Sequence, residues 1–218
     1  MSWFYYIART KIRVLLKLLT HCQVKGKENI PRQGPLLIVA NHISLVDPPL
    51  LGVSLGRKVI FMAKKELFHS RVISYFMSIL GAFPVHRKQL DRQAIRQAYQ
   101  VLADGLPLVM FPEGTRSPNN RLLPALPGSA LIALRSGAPI LPVGIIGTEK
   151  IRGLTWLLHR PHIIVKIGHP FYLPQVSSKS AKTDLTELAD FIMERIAELL
   201  PLEYRGDYGA RKSDGIKD

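Results

Sequence analysis

A chain of 218 residues with 47% hydrophobic content can bury one full core, and a single domain is the default at that length. Its single cysteine, Cys22, excludes an internal disulfide and fits a reducing compartment. Lys and Arg number 30 against 16 Asp and Glu, a net charge of +14 that calls for an anionic partner: nucleic acid, an anionic membrane surface, or an acidic or phosphorylated ligand.

In chain order, residues 3–20 predict an amphipathic helix. It opens on Trp3, Phe4, Tyr5, Tyr6 and Ile7, continues its apolar side through Ile12, Leu15, Leu16 and Leu19, and sets Arg9, Arg13 and Lys17 on one face by four-residue steps. Aromatics at the start, and cations with no acid before Lys27, fit an N-terminal amphipathic helix (1–21) lying on an anionic membrane surface. The competing reading is a helix docked on its own domain with a solvated basic edge. The same cations argue against a secretory leader, and no apolar run reaches the roughly 18 residues a spanning helix needs.

Gly34-Pro35 marks a turn into a buried strand over Leu36–Ala40. Asp47 reads as a cap and Pro48 as the first helical position of a helix that covers Leu50–Leu55. A strand follows over Lys58–Ala63, an apolar helix over Glu66–Leu80, an extended piece over Ala82–Val85, a polar-faced helix over Asp91–Ala103 and a strand over Pro107–Phe111. A helix over Leu131–Arg135, strands over Pro139–Ile145 and His162–Ile167, and a helix over Thr183–Leu200 stopped by Pro201 complete a domain spanning 22–203. Strands alternating with helices predict an α/β fold, a single domain with a central, mostly parallel sheet flanked by helices. The polar, glycine-bearing tail, 204–218, is expected to be disordered.

Two loops follow buried strands, where rigid scaffolds place their chemistry. In the first, His42 stands five residues before Asp47. A neutral imidazole is the natural base for an alcohol near neutral pH, and a carboxylate on its other nitrogen fixes the tautomer and stabilises the imidazolium. On a straight helix the two would lie on different faces, but a strand-to-helix turn stiffened by Pro48-Pro49 can fold them together. The bland alternative is an N-capping aspartate beside a structural histidine. Ser44 lacks the Gly-x-Ser-x-Gly setting of a nucleophilic serine. In the second loop, Glu113-Gly114-Thr115-Arg116-Ser117 offers a close backbone approach, hydroxyls and a bidentate cation, the parts of a phosphate grip. Glu113 there would accept from a ligand hydroxyl or orient Arg116; the alternative is a surface turn with an exposed ion pair. Arg87, after the extended Gly81-Ala82-Phe83-Pro84-Val85-His86, offers a second phosphate contact. His159, His162 and His169 match no common metal spacing, so no metal is expected.

Asn41-His42-x4-Asp47, Gly81…Arg87, Phe111-Pro112-Glu113-Gly114-Thr115-Arg116-Ser117 and Ile140-Leu141-Pro142-Val143 stand in the order and rough spacing of the glycerolipid acyltransferases. Over residues 22–200 the chain resembles their 1-acylglycerol-3-phosphate (lysophosphatidic acid) acyltransferase branch, and Ala63-Lys64-Lys65-Glu66-Leu67 resembles a segment common between the first two blocks. The resemblance implies that His42 and Asp47 activate the sn-2 hydroxyl of a lysophospholipid. That hydroxyl attacks the thioester of acyl-CoA or acyl carrier protein, giving phosphatidic acid for phospholipid biosynthesis. It assigns Arg87, Glu113, Gly114, Thr115 and Arg116 to the glycerol phosphate, with Asn41, Ser117 and Pro142 in support, Pro142 near the acyl donor. It implies no metal or bound cofactor, and a peripheral or monotopic position on the cytoplasmic face of a membrane. The chain departs from the family pattern at Leu126-Pro127-Gly128, where relatives often carry a basic residue before the glycine.

Other acceptors (glycerol 3-phosphate, another lysophospholipid, a lipid amine) suit the same chemistry, and a thioesterase would use the same pair on water. A basic nonenzymatic binding protein explains the charge but leaves both loops unemployed, and no nucleic-acid module signature is present.

Overall fold

The computed structural model describes residues 3–71, 74–75, 77, 81–86, 91–153, 155–173 and 181–209, apart from the side chains of Phe4 and 181–184. Its strands are β1 (His21–Lys25), β2 (Leu36–Ala40), β3 (Ile60–Lys64), β4 (Ala82–Val85), β5 (Pro107–Met110), β6 (Ile140–Ile146) and β7 (His162–Ile167). The longer helices are α1 (Trp3–Leu19), α2 (Asp47–Ser54), α3 (Arg92–Ala103), α4 (Gly128–Ser136) and α5 (Ala181–Ala197).

The strands form one sheet in the order β1-β7-β6-β2-β5-β3-β4. β2 sits at its centre with every residue buried, which is why it reads as an unbroken apolar run rather than an alternation. Ile38 lies opposite Val109 of β5 and Leu141 of β6, both in parallel pairing. β7 runs antiparallel to β6, and β1 pairs parallel with β7, so these two reverse the direction of the other five. β1 has no counterpart among the predicted elements: as an edge strand it is exposed or half-buried throughout, so its sequence carries no apolar stripe.

Alternate side chains of β2 feed two cores. Leu37 and Val39 pack with Leu108 and Ile140 against Ala98 and Leu102 of α3, Ile132 and Ala133 of α4 and Ile192 and Ile196 of α5. Leu36, Ile38 and Ala40 pack with Val109 and Leu141 against Leu50 and Leu51 of α2, with Leu16 of α1 at the margin. The result is a three-layer α/β domain, as its alternating pattern predicts.

Two expectations change. The expected 66–80 helix begins later: the segment from Lys65 to Phe68 is a single 3-10 turn, Arg71, Ser74, Tyr75 and Met77 are helical, and residues 72, 73, 76 and 78–80 lie outside the described residues. The expected disorder from 204 does not extend over 204–209. Short turns at Leu202–Tyr204 and Gly206–Gly209 fold back, and buried Tyr208 donates to Asp190 of α5 at 2.7 Å. The aromatic ring supplies the apolar burial that composition alone conceals; residues 210–218 lie outside the described residues.

Candidate active site

β2, β5 and β6 run in parallel, so the loops after all three leave the same edge of the sheet, the usual ligand side of such folds. Asn41 joins the first to the third. Its amide donates to the Ile145 carbonyl at 2.9 Å and accepts from the Ile145 N–H at 2.7 Å. The side chain thereby continues the β2–β6 ladder one step beyond Ala40 and Val143. The Ser117 N–H donates to the His42 carbonyl at 2.7 Å, tying the second loop to the first.

His42 Nδ1 lies 2.8 Å from Asp47 Oδ2, with His42 5% exposed and Asp47 fully buried. The same oxygen accepts from the N–H groups of Ile43 at 2.8 Å and Ser44 at 2.7 Å, and Asp47 Oδ1 accepts from the Thr148 hydroxyl at 2.7 Å. Every other neighbour of this carboxylate is a donor, so the network assigns the proton to Nδ1 and leaves the lone pair on Nε2. The His42 ring stacks on Phe111, with centroids 4.1 Å apart and planes 19° from parallel. Asp47 proves to be the first residue of α2 rather than its cap. Val46 precedes it without a side-chain cap, and the carboxylate reaches back to the loop instead of forward into the helix.

Glu113 is 5% exposed, and both its oxygens are taken by main chain: Oε1 accepts from the His42 N–H at 2.9 Å and Oε2 from the Leu123 N–H at 3.0 Å. Its expected contact with substrate phosphate is therefore corrected, since the carboxylate faces inward and holds the main chain of His42 and Leu123 in place. Burial pushes its carboxyl up to about 7, opposed by the two N–H donors and reinforced by the negative charge of Asp47.

Gly114 adopts a left-handed φ of 67°, and a Cβ there would collide with Leu126. Thr115 and Arg116 are exposed. Ser117 is buried and donates its hydroxyl to Asn119 at 2.9 Å, an internal tie. Pro142, which the resemblance sets near the acyl donor, is buried inside the sheet. It stands within β6 opposite Val39, its carbonyl accepts from the Gly168 N–H at 2.9 Å, and it is not part of the cleft wall. Arg87 lies outside the described residues.

His42 opens into an apolar cleft of about 260 Å³. α1 contributes Tyr5, Arg9 and Ile12 to its wall, α2 contributes Pro49, Gly52 and Val53, and β3 contributes Phe61 and Met62; Lys64 and Arg116 also line it. A second cavity of about 370 Å³, lined by Ile95, Met110, Leu126 and Ile132, shares Met62 and Phe111 with the first. An imidazole held this way at the mouth of an apolar space, with cations around it, is placed to accept a proton from the alcohol of a ligand that is part hydrocarbon and part anion. Among the described residues there is no group of three or more His, Cys, Asp or Glu side chains placed to hold a metal.

Thr148, the Phe111 stack and the inward turn of Arg9 are absent from the sequence reading. A signal for Thr148 exists: it is polar and follows a buried strand at the same sheet edge as the two recognised loops.

Residues 21–146 match the model of the acyltransferase family. The chain is 31% identical over 206 residues to the chloroplastic 1-acyl-sn-glycerol-3-phosphate acyltransferase BAT2 of Brassica napus, covering 92% of this chain and 57% of that protein. It is 29% identical over 196 residues to the 1-acyl-sn-glycerol-3-phosphate acyltransferase of Bacillus subtilis, covering 89% of this chain and 96% of that one. The crystal structure of the 1-acyl-sn-glycerophosphate (LPA) acyltransferase PlsC from Thermotoga maritima superposes with a TM-score of 0.70 at 28% identity, over 89% of this chain and 78% of that one.

Proposed function

This chain belongs to the acyltransferase family, and on that premise we propose that it transfers an acyl group from an acyl thioester to the sn-2 hydroxyl of 1-acylglycerol 3-phosphate, producing phosphatidic acid. The observation that carries the reading is the His42–Asp47 contact of 2.8 Å at an apolar, cation-bearing cleft. The acceptor hydroxyl gives its proton to His42 Nε2 as its oxygen attacks the thioester carbonyl. Asp47 keeps the Nδ1–H oriented and stabilises the imidazolium. Collapse of the tetrahedral intermediate breaks the carbon–sulfur bond, and the departing thiolate takes the proton back from Nε2. The acceptor oxygen is itself the nucleophile, so no covalent enzyme intermediate is required.

The donor is the thioester of CoA or of acyl carrier protein, and no cofactor takes part. The apolar cleft suits a hydrocarbon chain, while Arg116 and the neighbouring Thr115 suit the phosphate. The protein works at an anionic membrane surface from its cytoplasmic face. α1 supports this with an outward face that carries exposed Trp3, Tyr6, Ile7, Val14, Leu15 and Leu18. No helix among the described residues is long and apolar enough to cross a membrane.

The test is an assay of purified protein in vesicles or detergent, with lysophosphatidic acid and either acyl-CoA or acyl carrier protein thioester, beside His42→Ala. Transfer abolished in the variant supports both the reaction and the base. Release of free fatty acid without acceptor would make the protein a thioesterase, and no transfer with either donor would end the reading.

A further inference from the structure

The four-residue spacing of Arg9, Arg13 and Lys17 suggests one basic edge, but the fold separates their roles. The Arg13 guanidinium donates to the Val53 carbonyl at 3.2 Å, pinning α1 to α2. Arg9 is partly buried and lines the cleft together with His42, Lys64 and Arg116. Its Nε is buried and makes no hydrogen bond. A buried guanidinium N–H without an acceptor loses its hydration without compensation. No Asp or Glu lines the cleft among the described residues, so the protein supplies no acid in that wall to pair with it.

We propose that Arg9 is a phosphate-binding residue of the active site. Its guanidinium, acting with Arg116, takes the oxygens of a phosphate ester on the substrate held beside His42. The inference rests on the acyl-transfer reading and deepens it by bringing the N-terminal helix into substrate recognition. An anionic oxygen supplies the acceptor that Nε lacks, and the planar guanidinium suits a phosphate better than a single point charge would. The phosphate is that of the acyl acceptor or that of the donor's carrier arm, and kinetics separate the two.

The experiment compares Arg9→Gln and Arg9→Lys with Arg13→Gln and the wild type. It measures KM and kcat against lysophosphatidic acid and, separately, against acyl-CoA. Unfolding midpoints and co-sedimentation with vesicles of anionic phospholipid are recorded for each protein. Arg9→Gln is expected to raise one KM roughly 10- to 100-fold with a smaller change in kcat. Arg9→Lys, which keeps the charge and loses the fork, falls between it and the wild type. Both should bind vesicles as the wild type does. A rise against lysophosphatidic acid assigns the phosphate to the acceptor, and a rise against acyl-CoA assigns it to the donor. If both KM values stay unchanged in Arg9→Gln and Arg9→Lys, the proposal is wrong, whatever happens to vesicle binding or kcat. A wild type that transfers nothing instead removes the acyl-transfer reading itself, so the two failures are distinct.

Discussion

Thr148 donates its hydroxyl to Asp47 Oδ1 over 2.7 Å, so the carboxylate that orients His42 is gripped from its own loop and from the turn after β6. Thr148→Val keeps the volume and removes the donor. Its kcat should fall roughly tenfold with KM little changed, and Thr148→Ser should restore most of it. Asp47→Asn should cost far more, roughly 10³- to 10⁴-fold in kcat, because an amide at this position disturbs the imidazole tautomer. Steady-state kinetics on the three variants check both statements.

Asn41 makes two buried hydrogen bonds to one residue of β6. Asn41→Ala leaves the N–H and carbonyl of Ile145 without those partners and should lower stability by about 2–4 kcal/mol. Chemical unfolding in detergent measures this. Activity should fall as well, since the loop that carries His42 starts at the next residue.

Glu113 ties stability to pH. Its carboxyl is raised from 4.5 to about 7 in the folded state, chiefly by burial. The folded protein therefore binds more protons than the unfolded chain between those values. The contribution of Glu113 is present in full below about 4.5 and is lost as pH rises through about 7, a loss of roughly 3 kcal/mol. Unfolding at about pH 5 and about pH 7.5 should show most of this fall in the wild type, roughly 2 kcal/mol. Glu113→Gln cannot ionise, so its fall should be smaller, on top of a pH-independent cost for one lost main-chain bond.

At Gly114 the left-handed φ of 67° and the nearness of Leu126 both oppose a side chain. Gly114→Ala should destabilise by about 1–2 kcal/mol and shift the 111–117 loop against His42. The expected signature is a loss of kcat/KM larger than the small drop in melting temperature suggests.

On the outward face of α1, Val14, Leu15 and Leu18 are exposed, Leu18 at 64%. Changing all three to Ser should weaken co-sedimentation with anionic vesicles while the unfolding midpoint stays close to that of the wild type. Binding should also weaken as salt rises, because exposed charges are screened over about 8 Å at physiological ionic strength. Vesicle binding that ignores both the substitutions and salt would rule out α1 as the membrane contact.

The amino-acid sequence by itself determined the α/β class, the buried central strands and the two polar loops that follow β2 and β5. It did so because these are local patterns: an apolar run, a turn residue, or a histidine five residues from a carboxylate. Only the tertiary structure decided which way each side chain points and what it meets. Glu113, adjacent to the cationic loop in sequence, turns inward because the His42 and Leu123 N–H groups need acceptors once buried. Ser117 is likewise drawn into holding the loops together. Thr148 reaches Asp47 only because β6 lies beside β2, a pairing that the order of elements along the chain does not specify. Arg9 and Arg13 share a spacing but not a fate, because the face that α1 presents is chosen by packing on α2, which leaves one cation on a carbonyl and the other in the cleft. Periodicity is a property of one segment, whereas direction and partnership belong to pairs of segments, and those are set by how the layers pack.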